Sequence, residues 1–448
     1  MKNRKKTAAA LALFSALTLL AAPACGEGRP FPPCPCESFR AALCIDESLR
    51  PIRLAVNTQR FVDYDEGEEV LRSSRTIVSF TGAPAEFNGE ALQSALWDYS
   101  THETEEHRRI RDNLIDLALE VREKGAKVDS CSRHLTDVFI RRADTAVVSL
   151  LETSYDFRVG AVHGISGVSG RNFDARTGEE LTMDDVFTDK LKLADVIVAH
   201  LRRDYPNASF MKGGGMSVEE AVNMMTGVGN IPWTLDPCGA SFYFNPYVIG
   251  SYAEGIFTVT LLFREHPELF RDEYRRAPSS YTMELRPHLP VRTAFADGSD
   301  TALKVTTTDG GIRIYCGGAM LDDWGESSGL RPVLVALADG RRYLYTDDRG
   351  PGEAWETTRV FDLNGDAPLR VPMKRRMTRR ANVDEDFAEA EIGQVTIDEN
   401  ENRVFYIMAD PEDFNMTLLD EATGKARRCE CRVGGDGTPE ITWAEDAG

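Results

Sequence analysis

The chain has 448 residues, with 72 acidic against 52 basic side chains and a net charge of −20 at neutral pH. That length exceeds one ordinary core and predicts two or three domains. The acidic balance excludes nucleic acid and anionic membrane surfaces as partners, because both need faces rich in Lys and Arg.

The chain opens with Lys2, Arg4, Lys5 and Lys6, followed by an apolar run over residues 8–22. The run is shorter than the about 20 residues needed to span a bilayer and ends on small residues, the pattern of a secretory signal. Two cut sites are legible. Ala22-Pro23-Ala24 suits an ordinary signal peptidase, whereas Cys25 directly after Ala24 suits a bacterial lipoprotein, whose cysteine is acylated and becomes residue one. Ala22 stands where such signals usually carry Leu. The favoured reading is a lipoprotein lipidated at Cys25, exported to the cell envelope and touching the membrane through that anchor only. GEGRPFPPCPC then reads as a tether.

Cys25 is one of nine cysteines, and the others form an even set: Cys34, Cys36, Cys44, Cys131, Cys238, Cys316, Cys429 and Cys431. An even set in an exported protein favours disulfides. The CPC and CEC pairs are spaced more tightly than structural zinc sites prefer, so zinc is the lesser alternative.

RSSRTIVSF alternates as a strand does. ALQSALWDYSTHETEEHRRIRDNLIDLALEVREKG predicts a long amphipathic helix, with Leu92, Leu96, Ile110, Leu114, Leu117 and Val121 at three- and four-residue steps. DVFIRRADTAVVSLLETSYDF predicts strands, a second helix is expected over residues 191–205, and FYFNPYVIGSYAEGIFTVTLLF predicts two strands broken by a turn. Beyond about residue 280 helical periodicity stops, and short strands recur around Asp339-Gly340, Asn364-Gly365, Glu399-Asn400 and Thr423-Gly424. The expected fold is an α+β domain, an antiparallel sheet with helices, followed by an all-β domain, either a sandwich or propeller-like. The bounds read as signal 1–24, tether 25–49, α+β domain 50–278 and β-rich domain 279–448.

Motifs with catalytic or metal chemistry are incomplete. HETEEH places His102 and His107 five apart, not the four that put two imidazoles on one helix face, and reads as a solvated helix surface. DLNGDAP offers Asp362, Asn364 and Asp366 in the manner of a calcium loop, but Ala367 and Met373 stand where Gly and a bidentate Glu are needed. Gly213, Gly214 and Gly215 lack the Lys-Ser/Thr of a phosphate loop. The basic cluster over residues 373–380 reads as an exposed loop. No catalytic residue, metal ligand or cofactor is expected.

One stretch is more specific. Tyr155 closes a strand and leads to Gly160, His163 and Gly164; then come Asn172-Phe173-Asp174, a Thr177-Gly178 turn, and Asp185-Val186-Phe187. Farther on, SFYFNPYVIGSYAEGIFTVTLLF places Phe244, Tyr247, Ile249, Tyr252 and Gly255 in a second pattern. Together, over roughly residues 50–275, these resemble the envelope domain shared by the extracellular part of RsiV-type anti-sigma factors and the non-catalytic N-terminal part of PdaC-type peptidoglycan deacetylases. The chain shows neither the cytoplasmic and transmembrane segments of the first nor the deacetylase ligands of the second. The resemblance implies an exported binding domain associated with lysozyme sensing and the cell wall. It implies structural or binding roles for Tyr155, Gly160, His163, Gly164, Asn172, Asp174, Gly178, Asp185, Phe187, Tyr247, Tyr252 and Gly255.

The expected function is a non-enzymatic envelope binding protein, with a cationic protein such as lysozyme or a cell-wall glycan as ligand. His163 is read as a hydrogen-bonding organiser of its loop. The alternatives are a carbohydrate-active enzyme using His163 with the nearby acids Asp174, Glu179, Asp184 and Asp185, and a structural scaffold of the envelope.

Overall fold

The computed structural model describes residues 45–124, 131–212 and 216–294, then a series of segments between residues 300 and 445; past residue 363 the backbone alone is described. A short strand β1 (Ile45–Asp46) precedes a five-stranded sheet of β2 (Arg53–Asp65), β3 (Glu68–Gly82), β4 (Ser132–Ala143), β5 (Val147–Phe157) and β6 (Ile165–Asp174), in that spatial order. Glu66 and Gly67 link β2 to β3 with φ of 50° and 85°, the left-handed pair whose twist matches a two-residue hairpin. Helix α1 (Glu90–Glu123) carries the chain back along the sheet, so β4 joins β3 in parallel, Leu71 opposite Ser132 and Ser73 opposite His134. The other pairs of this sheet are antiparallel.

Side chains alternate across a strand, and both faces of this sheet are covered. Leu92, Leu96 and Tyr99 of α1 pack on Val138, Ile140, Val148 and Leu150. Phe139 and Leu151 point the other way, against Val168, Tyr243 and Leu289. That second face is closed by a helical turn α2 (Met183–Val186), helices α3 (Lys190–Asp204) and α4 (Val218–Gly227), and a sheet of β7 (Trp233–Asp236), β8 (Gly239–Phe244) and β9 (Phe257–Leu262). Helix α3 starts at Asp189, whose carboxylate accepts the N–H groups of Leu191 and Lys192, and α4 starts at a Ser217/Glu220 capping box. Where β6 crosses β7 the backbones nearly touch: a Cβ on Gly170 would lie 1.8 Å from the Trp233 carbonyl oxygen.

Beyond these, β10 (Ala277–Pro278) pairs in parallel with β1, and Leu49, at the end of the expected tether, is buried in the core beside α3. β11 (Tyr281–Glu284), β12 (Val291–Ala294), β13 (Asp300–Thr308), β14 (Gly311–Cys316), β15 (Ala319–Trp324), β16 (Val333–Ala336), β17 (Arg342–Thr346), β18 (Arg359–Asp362) and β19 (Leu369–Arg370) form two sheets, β12–β15 and β11-β16-β17-β18-β19. Met283, Leu334, Leu344 and Phe361 of one share a core with Val291, Leu303, Val305 and Ile314 of the other, which makes this part a sandwich. β16 and β17 form an antiparallel pair with Gly340 at φ 90° between them; Asp339 lies outside the described residues. A third sheet holds β20 (Lys374–Arg379), β21 (Tyr406–Ile407), β22 (Asp413–Asp420), β23 (Lys425–Val433) and β24 (Pro439–Glu445); β22 and β23 form the antiparallel pair expected around Thr423-Gly424.

Three of these units meet at one side chain. The β4–β5 register slips between Ile140 and Arg142, making Arg141 the extra residue of a β-bulge. Arg141 is 2% exposed. Its guanidinium donates to both oxygens of Asp236 on β7, at 2.9 and 2.8 Å, and to the carbonyl of Glu284 on β11 at 2.9 Å. Asp236 also accepts from the hydroxyls of Thr234 and Ser241, and the Glu284 carboxylate accepts the Ile140 N–H at 2.6 Å. Removing one partner of a buried pair strands the other charge and costs about 3–5 kcal/mol, whereas replacing both with apolar groups is often close to neutral. Asp236→Ala should therefore lower the thermal midpoint far more than the double variant Arg141→Met/Asp236→Leu. Equal melting of the two variants would show that the pair does not hold these sheets together.

A candidate binding surface around His163

The sequence-predicted residues divide into two groups. Asn172, Asp174, Gly178, Asp185 and Phe187 are architecture. Asn172 is buried, accepts from Ser149 and from the Leu235 N–H, and donates to the Trp233 carbonyl, tying β6 to β7. Burial alone would raise the Asp174 carboxyl, but hydrogen bonds from Arg176 and Thr177 outweigh it and hold the group below its usual range. Gly178 has φ 73°, and a Cβ there would meet the Ala91 carbonyl of α1 at 2.5 Å. The Asp185 carboxylate accepts the N–H and O–H of Thr182 at the start of α2. Phe187 packs on Trp233, Phe242 and Phe270 with centroids 5.2–5.6 Å apart.

The second group forms a surface. The loop from β5 to β6 turns at Gly160, φ 83°, and presents an exposed His163. Gly164 lies flat on the half-buried Tyr155 ring, where a Cβ would come within 2.4 Å of it. The His163 ring stacks on Tyr252 at 4.2 Å and 25°, and Tyr252 faces Tyr247 at 5.9 Å and 26°. Tyr247 is 62% exposed, beside Val248 at 37%, while Val162 of the first loop and Ile165 at the start of β6 are exposed at 99% and 53%.

The support beneath this column is polar and specific. The Asn245 side chain accepts the Val168 N–H and donates to the Val168 carbonyl, clipping the 245–250 turn to β6. Glu254 accepts from Ser209 and Ser251, and those bonds hold its carboxyl at about 2. Gly255, φ 75°, ends the short turn that carries Tyr252. Tyr247 itself sits at φ 70°, an uncommon conformation for a bulky residue and one that marks constrained loops at functional surfaces.

This arrangement suits binding. Its flat ring faces can stack on apolar, sugar or cationic groups. The His163 Nδ1 bonds the Gly164 carbonyl at 2.9 Å, and since a carbonyl only accepts, that nitrogen carries the proton. Three of the four acids that an enzyme reading would recruit have partners of their own. Asp184 pairs with Lys190, Asp185 with Thr182 and Asp174 with Arg176, while Glu179 sits in the turn with its carbonyl accepting the Asp174 N–H.

Other expectations meet mixed outcomes. Cys131, Cys238 and Cys316 are free thiols, contrary to the disulfide reading; Cys238 and Cys316 lie in the sandwich core, where burial raises both thiols. Cys25, Cys34, Cys36 and Cys44 lie outside the described residues, as do the turns at Asn364-Gly365 and Glu399-Asn400 and residues 213–215; Cys429 and Cys431 are seen only as backbone of β23. HETEEH is not a solvated face throughout. His102 is exposed, but His107 is buried, 5.2 Å from the Phe61 ring and 5.9 Å from His134, with no hydrogen-bond partner on Nε2. Sequence reasoning also missed a groove of about 500 Å³ between α1 and β3, lined by Ile77, Phe80, Thr104 and Arg108 beside Trp97, which is 73% exposed.

Two solved structures are similar to this chain. A member of the DUF3298 family from Bacteroides fragilis aligns at 15% identity over 49% of this chain and 94% of its own, with a TM-score of 0.39. A DUF3298 family protein from Pseudomonas aeruginosa aligns at 13% identity over 52% and 98%, with a TM-score of 0.30. No family model and no curated protein matches the chain.

The buried histidines impose a pH dependence. Burial, and after it the nearby His134, lowers His107 to about 4; burial and Arg203 lower His200 to about 4 as well. Between pH 6.5, the ordinary value for histidine, and about 4, the unfolded chain binds more protons than the folded one. Stability is therefore fully present above 6.5 and is lost as pH falls through this window. His107→Leu should flatten part of the decline in thermal midpoint between pH 7 and 4.5; an unchanged decline would remove His107 as a cause.

Proposed function

We propose that the chain is an exported, lipid-anchored binding protein of the cell envelope, that it catalyses no reaction, and that the His163–Tyr252–Tyr247 column is its recognition surface. The observation that carries this reading is the column itself: stacked rings on two loops, His163 and Tyr247 exposed on either side of a half-buried Tyr252, fixed from below by Gly164 on Tyr155 and by Asn245 on β6. Binding residues concentrate on loops positioned by a rigid scaffold, and aromatic anchors dominate interface energetics. The net charge of −20 favours a cationic protein, and the resemblance to the RsiV/PdaC domain narrows this to a lysozyme-like one. The nearly parallel Tyr faces support a second reading, a cell-wall glycan laid across them.

Because Glu284 lies beyond residue 278 and completes the Arg141 network, the protein to test is the whole chain without its leader. Calorimetry against a c-type lysozyme should give saturable binding that persists in part at about 0.5 M salt, where the screening length is only a few ångströms. Tyr252→Ala should weaken that binding about tenfold or more. Equal binding of an unrelated protein of the same basic charge, lost together with lysozyme in salt, would mean that only an acidic surface was measured. Binding of peptidoglycan fragments in place of lysozyme, with the same sensitivity to Tyr252→Ala, would assign the glycan instead. For the anchor, mass spectrometry of the mature N-terminus should find acylated Cys25; an unmodified Cys25 contradicts it.

A further inference from the structure

The last turn of α3 and the turn that follows β9 bring together two histidines and a carboxylate that neither the motifs nor the binding surface uses. His200 is 6% exposed, and its Nε2 stands 3.3 Å from the Nε2 of the half-buried His266. The ligand atoms of His200, His266 and Glu265 all lie within 4.8 Å of one another. Tetrahedral zinc, with Zn–N distances of about 2.0–2.1 Å, spaces two neighbouring nitrogen ligands by about 3.3 Å. The imidazoles are therefore already at ligand spacing, and the carboxylate needs to close in by at most about 1.5 Å.

We propose that His200, His266 and Glu265 form a site for a borderline divalent transition metal of the zinc class, with the fourth position open to water or a ligand. Two nitrogens and one oxygen suit zinc, cobalt or nickel and disfavour calcium and magnesium, which take oxygen ligands. The second shell sets the protonation. Arg203 donates to the His200 Nδ1 at 3.1 Å, so without metal Nδ1 is the acceptor and Nε2 carries the proton toward His266. Arg203 also holds Asp204 through Nε at 2.7 Å and Nη2 at 3.0 Å. Turning away from Nδ1 leaves it paired and lets the His200 proton move from Nε2 to Nδ1, freeing the Nε2 lone pair with no net proton released. Arg292 binds Glu265 bidentately at 2.9 and 2.7 Å; each carboxylate oxygen retains a further lone pair for the metal. Arg292 lies on β12, so an ion here would join α3, the β9 turn and the sandwich.

The test is titration of the whole leaderless chain with Zn²⁺, read by thermal midpoint, and with Co²⁺, read by visible absorption. The expected result is one saturable site at neutral pH, a raised thermal midpoint, and four-coordinate cobalt bands without the charge-transfer absorption of a cysteine ligand. His266→Ala, on a surface turn, should keep the metal-free melting near that of the parent and weaken binding about tenfold or more. Absence of saturable binding at micromolar metal, cobalt bands with thiolate character, or unchanged affinity in His266→Ala would each overturn the site.

Discussion

A fully buried guanidinium is the constraint from which much of the architecture follows. A charge cannot be left unpaired in an apolar interior, so Arg141 obliges β7 to bring Asp236 and β11 to bring the Glu284 carbonyl to the same point. The bulge leaves Arg141 outside the ladder pairing, and just before it the Glu284 carboxylate accepts the Ile140 N–H. Thr234, Ser241, Tyr243 and Thr260 extend the network by hydroxyl contacts through β7, β8 and β9. Such networks are unforgiving when one member is removed, and that property makes them specific.

The candidate surface inherits its order from this interior. Tyr243 of β8 bonds into the Arg141 network through Thr234, and the next turn along the chain, after β8, carries Tyr247 and then Tyr252. On the opposite loop, Val159 is buried against Val70, Leu71 and Leu114, so the chain leaves the core only just before His163. The two loops are thus short excursions from fixed points, and their aromatic rings meet without having to be ordered by a ligand. Pre-ordering of this kind reduces the entropy lost on association.

The elements with strong periodicity were legible in the sequence. Helix α1 followed from Leu92, Leu96, Ile110 and Leu114, and the β8–β9 strands from their apolar runs. The residues of the aromatic surface were legible only as a motif: Tyr155, His163, Tyr247 and Tyr252 could be named, but not the stacking that joins loops far apart in the chain. Helix α4 was missed because its short apolar face follows a glycine run. The stretch holding Arg141 and Arg142 was legible as a strand but their burial was not, because a bulge between Ile140 and Arg142 breaks the two-residue alternation of faces. The His200–His266 pair was hidden by a separation of 66 residues, and the thiols of Cys238 and Cys316 by an even cysteine count that carries no pairing information.

The central claim is that this chain recognises its partner through two loops held rigid by the interior. Amide hydrogen exchange of the whole leaderless chain, with and without a c-type lysozyme, tests it most directly. The account predicts added protection confined mainly to residues 158–166 and 245–255, with the strands that carry Arg141 and Asp236 slow to exchange in both states. Protection appearing instead along α1 beside Trp97, or no change anywhere at saturating lysozyme, would contradict it.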